Sequence, residues 1–274
     1  MNVAKRVLSV FVFSLLAAGM VWAQPSVGGA KKKANESKDQ QQKKENEKAG
    51  ASKEPIVFTN APDEKCHFEL DASSKRNVIK FESKAPAETI ESKVNKITGT
   101  MDFNPRKMDK VEGTFTINWK DVDTGNPTRN THMMGKDWVD AATYPDVVFT
   151  VTGIEGASAK DKPVKAIKCT LVGKMTMHGK DHDMKIPATL TYIDSLPAKK
   201  GEAPHDGLSI KTGKFKVALA DYDIKGKAGV VGNKVAGEQE FTTVAVNLIG
   251  PEHKETKAPT QPKMAPKKPP VKGG

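Results

Sequence analysis

No nucleophile elbow, phosphate-cradling glycine loop or dinucleotide fingerprint occurs in the chain. That removes the sequence case for an α/β-hydrolase, a P-loop nucleotidase or a Rossmann enzyme. Cysteine is scarce, with Cys66 and Cys169 the two present, so a disulfide-dense scaffold cannot be built. Aromatic residues make up 6% of the chain. No apolar run is long enough to span a membrane comfortably; the longest, Val7–Met20, is too short. A concentrated basic patch is also missing, despite the net charge of +11. Residues 1–54 and 251–274 hold 16 of the 44 Lys/Arg and 7 of the 33 Asp/Glu, which leaves 28 and 26 for residues 55–250, a net charge of +2. The basicity lives in the ends, and a nucleic-acid partner is not expected.

The ends have their own signatures. Lys5 and Arg6, the apolar run to Met20 and Val21-Trp22-Ala23 read as a signal peptide (residues 1–23) cleaved near Ala23, giving a periplasmic or secreted protein. Gln24, not cysteine, would follow the cut, so a lipoprotein is not expected. Residues 24–63 form a Lys/Gln-rich tail and residues 251–274 a Pro/Lys-rich one, both too poor in apolar residues to fold. Each reads as a solvated spacer or as an electrostatic contact to an anionic envelope surface.

Residues 64–250 are left for one domain. Period-two alternation recurs along it. Val111, Phe115, Ile117 and Trp119 share one face, as do Ile167, Cys169, Leu171, Met175 and Met177. Met184, Ile186, Ala188, Leu190 and Tyr192 form another such set, followed by Phe215, Val217 and Leu219, and by Val244, Val246 and Leu248. Shorter runs lie near Cys66–Asp71, Asn77–Lys84 and Lys93–Phe103, with a polar loop at Pro197–Gly207 and a glycine-rich one at Gly226–Gly237. Eight or nine strands, each apolar on one face, predict an all-β antiparallel domain. The strands from Val164 onward are long, which favours an elongated barrel over a sandwich. Met101, Met175, Met177 and Met184 fall on or near apolar faces, suiting either plain core or a cavity for a flexible apolar ligand. Cys66 and Cys169 also sit at apolar strand positions, so a disulfide and two buried free thiols both stay open.

One stretch departs from the strand pattern. Asn126 and Pro127 predict a helix N-cap with proline in the first turn, closed by Gly135. A second short helix is predicted from Lys136 to about Ala142, with Asp137 and Asp140 on its surface and Tyr144-Pro145 as its stop. His178, Asp181, His182 and Asp183 lie within six residues at an expected hairpin turn. Alternating faces keep them from converging, and no metal site is assigned.

Ile97–Pro105, the series Val122, Thr124, Gly125, Asn126, Arg129, His132, Trp138, Tyr144-Pro145 and Phe149, then Gly173–Gly179 and Asp221–Ile224 resemble, in order and spacing, the motifs of the YceI-like family. The similarity runs from about Cys66 to Ile249. Asn130 stands where the family usually carries aspartate, and Asp121 where it carries a small hydroxyl residue. The resemblance implies an elongated, lipocalin-like antiparallel β-barrel, into which the two short helices expected above would be inserted. Its interior would hold a polyisoprenoid, a quinone tail or a fatty-acyl chain, with no other cofactor and with homodimerisation open. The inward candidates for ligand contact are Ile79, Phe81, Met101, Phe103, Phe115, Ile117, Trp119, Phe149, Leu171, Met175, Met177, Ile186, Leu190, Phe215 and Val217, with Trp138 from the insert. Arg129 and His132 are candidates for a ligand headgroup. A binding protein is expected rather than an enzyme. The rival readings are a lipid-modifying enzyme using His132 and Asp137, and an envelope protein whose tails do the binding.

Overall fold

The computed structural model describes residues 56–198 and 201–254. The expected signal peptide and most of both expected tails lie outside them. Twelve strands build one antiparallel sheet: β1 (Cys66–Leu70), β2 (Val78–Lys84), β3 (Thr89–Val94), β4 (Thr98–Phe103), β5 (Glu112–Asn118), β6 (Val122–Asp123), β7 (Asp146–Ser158), β8 (Ala166–Met177), β9 (Lys180–Leu196), β10 (His205–Thr212), β11 (Phe215–Ala218) and β12 (Glu238–Glu252). Eight close a barrel in the order β1-β4-β5-β7-β8-β9-β10-β12, with β12 returning to β1 through Glu69 opposite Ile249. The strand pairs β1/β2, β3/β4 and β5/β6 each behave as one long strand with a bend. Of these, β2, β3 and β6 form a β12-β2-β3-β6 extension, while β11 carries β10 onward along β12. The expected lipocalin-like all-β barrel is therefore what the chain forms.

The alternation explains this closure. Along β8, Ile167, Cys169, Leu171, Gly173, Met175 and Met177 are all buried, while the residues between them are half-buried or exposed. Strand β9 repeats the pattern through Ile186, Ala188, Leu190 and Tyr192. A face that is apolar along its whole length must be covered, and curling the sheet on itself covers it without an exposed edge. The β8–β9 hairpin turns on two residues, His178 (φ 51) and Gly179 (φ 69). Positive φ at both marks the tight turn whose twist matches the strands. A Cβ at Gly179 would lie 2.7 Å from the Tyr144 ring, so glycine is required there twice over.

Several expectations need correction. The expected helix after Asn126 forms as α1 (Pro127–Met133), with the Asn126 side chain accepting from the Arg129 N–H at 3.1 Å. Its end is not a left-handed glycine: Met134 is the C-cap, and Gly135 N–H donates to His132 O. The second predicted helix, Lys136 to about Ala142, does not form. That stretch is a series of turns, with Trp138 and Asp140 N–H both donating to Gly135 O and Asp140 at φ 43. Burial of Val139 and the seating of Trp138 over Gly226 favour turns there. The loop expected at Pro197–Gly207 gives way to β10 at His205, where Leu208 and Ile210 are buried. The fold also begins before residue 64. Phe58 is fully buried, 5.6 Å from the Tyr192 ring, and its N–H donates to Pro105 O. At the other end β12 runs to Glu252, and His253 Nδ1 lies 2.7 Å from the buried carboxylate of Asp206.

Cys66 and Cys169 are both buried free thiols, so the disulfide left open by the sequence is not formed. Burial pushes each thiol up to about 11. Because the thiolate is the reactive form, the folded protein at pH 8 should react negligibly with an aromatic disulfide reagent. It should then titrate two thiols per chain in guanidinium, and a count below two would reveal a bridge.

Candidate functional site

Two apolar clusters share the barrel interior. One is solid and contains Phe68, Met101, Phe103, Leu171, Ile186, Leu190, Leu208 and Leu248. The other, at the end bearing α1, includes Trp119, Val139, Val147, Met175, Met177, Val217 and Leu219 and surrounds a cavity of about 400 Å³. Phe149, Met184 and Phe215 pack against both clusters and separate them. Hollowness at this end follows from the ladders: the first half of β9 pairs with β8 alone, and β11 pairs with β12 alone. With fewer strand partners at this end, the walls leave the cavity between them.

The cavity walls are apolar side chains from seven of the twelve strands: Phe81 of β2, Ile90 of β3, Ile117 of β5, Val147 of β7, Met175 and Met177 of β8, Val217 of β11 and Phe241 of β12. Phe81, Phe241 and Phe215 form a ring stack, with centroids 5.2 and 4.6 Å apart. Ser83, Ser92 and Gln239 are the polar wall residues contributed by strands. Ser83 Oγ is already engaged, accepting from the Ala236 N–H at 2.8 Å. Above the walls sit Arg129, His132 and Met133 of α1, Trp138 and Val139 of the turns, and Lys227, Val230, Lys234 and Val235 of the glycine-rich loop.

Of the residues expected to meet a ligand, Phe81, Ile117, Trp119, Arg129, His132, Trp138, Met175, Met177 and Val217 do line this cavity. The others do not. Met101, Phe103, Leu171, Ile186 and Leu190 fill the solid end, and Ile79 is buried on β2 away from the cavity. Phe115, Phe149 and Phe215 are half-buried packing residues. Phe149 lies across Gly173, where a Cβ would be 3.1 Å from its ring and would collide with the Thr150 carbonyl. The sequence reading missed Ile90 and Val147, which simple extension of the alternation could have found, and Gln239 and Phe241, which a register shift in β12 between Phe241 and Thr243 puts out of phase with Val244, Val246 and Leu248. It also missed the loop residues Lys227, Val230, Lys234 and Val235, which carry no periodic signal.

The polar candidates divide. The Arg129 guanidinium donates to the Glu88 carboxylate, joining α1 to the β2–β3 turn. Asn130 faces away from the cavity: its Oδ1 accepts from Thr124 N–H and Oγ1–H, and its Nδ2 donates to Asp123 Oδ1 at 3.3 Å. Here amide rather than carboxylate is useful, because a second carboxylate could not donate to Asp123. Asp123 itself is held below the usual carboxylate range, first by the Gly125 N–H and then by Asn130 and Lys93. Trp138 packs over Gly226 (φ 61), where a Cβ would lie 2.8 Å from the indole.

No general acid–base pair converges on the cavity among the described residues. Asp137 is exposed and off its lining, and the lining's one carboxylate, Glu88, is occupied by Arg129. His178 Nδ1 lies 2.8 Å from Tyr222 O, Asp181 accepts from Thr176, and His182 lies 3.9 Å from Asp221, so these residues serve separate structural contacts. At the solid end, ligand atoms of Asp194, Asp206 and His253 lie within 4.8 Å of one another, close enough to share a cation. The Asp206 oxygens are used by the Tyr192 hydroxyl and the His253 ring, and burial with that hydrogen bond pushes the Tyr192 phenol strongly up.

Among known proteins, the chain is 26% identical over 128 residues to a UPF0312 protein of Pseudomonas savastanoi pv. phaseolicola (strain 1448A / Race 6), covering 47% of this chain and 60% of that one. It is 26% identical over 139 residues to Protein YceI of Escherichia coli O157:H7, covering 50% and 64%. The chain thus spans less than two thirds of the length of these curated relatives. Burkholderia cenocepacia BcnA superposes with a TM-score of 0.47 at 20% identity, covering 66% of this chain and 98% of that one. A polyisoprenoid binding domain from Saccharophagus degradans, implicated in plant cell wall breakdown, gives 0.46 at 15% identity, covering 68% and 98%. Both likenesses are distant. The family model of the YceI-like domain matches residues 68–243, from the first closing strand to the wall residues of β12 and across more than half of the chain, and the chain belongs to the YceI-like family.

Proposed function

We propose that the protein is an exported binding protein that holds one long apolar chain in the open end of its barrel. The observation that carries this reading is the cavity: about 400 Å³, walled by aliphatic, methionine and phenylalanine side chains, with no acid–base pair inside. Each methylene taken out of water contributes about 0.8 kcal/mol, so ten supply roughly 8 kcal/mol before the cost of ordering the chain. Met175, Met177 and Met133 supply the adaptable surface that a flexible chain needs. The volume is near the low end for small-molecule sites. Fatty-acyl length suits it, whereas a long polyprenyl or quinone tail would enter in part or folded. Export rests on the N-terminal pattern around Lys5, Val7–Met20 and Ala23.

Organic extraction of the purified protein followed by mass spectrometry should release a single-chain lipid. The delipidated protein should then take up a fluorescent fatty-acyl or isoprenoid probe. A protein that is empty as isolated and takes up neither probe would remove the reading.

A further inference from the structure

We propose that the chain held in this cavity carries an anionic head, a carboxylate or a phosphate, received at the mouth by Lys227 and Lys234. The inference rests on the lipid-binding reading and adds the chemistry of the head and its orientation. The cationic residues on the lining are Arg129, Lys227 and Lys234, with His132 beside them; its one carboxylate is Glu88. Arg129 and Glu88 neutralise each other. Among the described residues neither Lys227 nor Lys234 has a carboxylate within ion-pair distance, so the mouth keeps an uncompensated double positive charge.

That charge is held in place rather than merely present. Gly226, Gly229 and Gly232, all at positive φ, let the loop fold back on itself. Val235 and Lys234 N–H both donate to Val230 O, and Gly232 N–H donates to Val235 O at 2.7 Å. The loop is then pinned to the barrel by Ala87 N–H on Asn233 O and by Ala236 N–H on Ser83 Oγ. The result points Val230 and Val235 toward the apolar lining and leaves both lysines exposed at the rim. An apolar inner face beneath a charged outer edge is the polarity of an amphiphile, and lysine stems can follow the apolar chain while their ammonium groups stay wet. Deeper in, no ionised group is available to a buried anion, which would be costly to desolvate. The head therefore stays at the mouth and the tail runs down toward Phe149 and Phe215.

The test uses four probes of one chain length on the delipidated full-length protein: tetradecanoate, tetradecyl phosphate, tetradecanol and tetradecyltrimethylammonium. At low salt at least one anion should bind about 5- to 30-fold more tightly than the alcohol, the cation should bind most weakly, and the preference should shrink in 0.5 M salt. Which anion binds better identifies the head. In the double variant K227Q/K234Q the anion-to-alcohol ratio should fall roughly 3- to 10-fold. Equal binding of anions and alcohol, or an undiminished ratio in the double variant, overturns the proposal while leaving the lipid reading standing. Failure of all four probes to bind overturns both.

Discussion

Leu190→Ala should lower the folding stability by about 2–5 kcal/mol and leave the affinity for an apolar chain within about twofold. Leu190 is fully buried in β9, opposite Ile167 of β8 and Ile210 of β10, in the cluster that fills the closed end of the barrel. Truncation removes apolar contact and leaves a hole that close-packed neighbours refill only in part. Against a typical total of about 5–15 kcal/mol the loss is large. For a domain of this size the melting temperature should fall by roughly 5–15 °C. Calorimetry and probe titration on the same sample separate the two readouts. A tenfold loss of affinity at a temperature where the variant is folded would mean that the ligand reaches the closed end, against the solid packing seen there.

Ile117→Trp should do the reverse. Ile117 is a half-buried residue of β5, facing Val147 across the ladder, and its side chain borders the cavity. Enlarging a residue in a filled core costs about 1–3 kcal/mol of strain, but here the added ring has empty space to enter. Displacing about three methylenes of ligand forfeits roughly 2.4 kcal/mol, close to a 50-fold loss of affinity. The expected result is a variant with near-normal melting behaviour and little or no bound lipid on extraction. Normal affinity together with normal stability would show that the chain does not occupy this cavity. Taken as a pair, the two variants test whether one barrel is divided into a structural end and a binding end.

That division is where reading the sequence stopped. Leu190, Met101 and Phe103 have the same local signature as Met177, Ile117 and Phe81: an apolar side chain at an alternate position of a strand. Alternation tells inside from outside, and it did so correctly along β8 and β9. It contains nothing about depth along the barrel axis. Depth depends on which strands stay paired, and the loss of partners for the first half of β9 and for one side of β11 leaves the walls apart at one end. The charged mouth was hidden for a related reason. Glu88, Arg129, Lys227 and Lys234 come from three connections with no shared spacing, and only closure of the barrel gathers them.

Local rules also failed where tertiary contacts overrode them. The stretch after Gly135 has residues acceptable to a helix, yet Val139 is drawn into the core and Trp138 onto Gly226, and turns satisfy that geometry better than a helix would. The Ile56–Phe58 triplet looked like part of a tail because three residues show no period; burial of Phe58 against Tyr192 makes it part of the fold.

By itself, the sequence determined the all-β class, the inward faces, the Asn126-Pro127 helix start and the family, because strand alternation, capping and motif order are written in neighbouring residues. Tertiary structure alone decided where the barrel is solid and where it is hollow, which residues border the cavity and what charge guards its mouth. Those properties are set by contacts between residues far apart in the chain, and packing, not periodicity, determines how much space they leave.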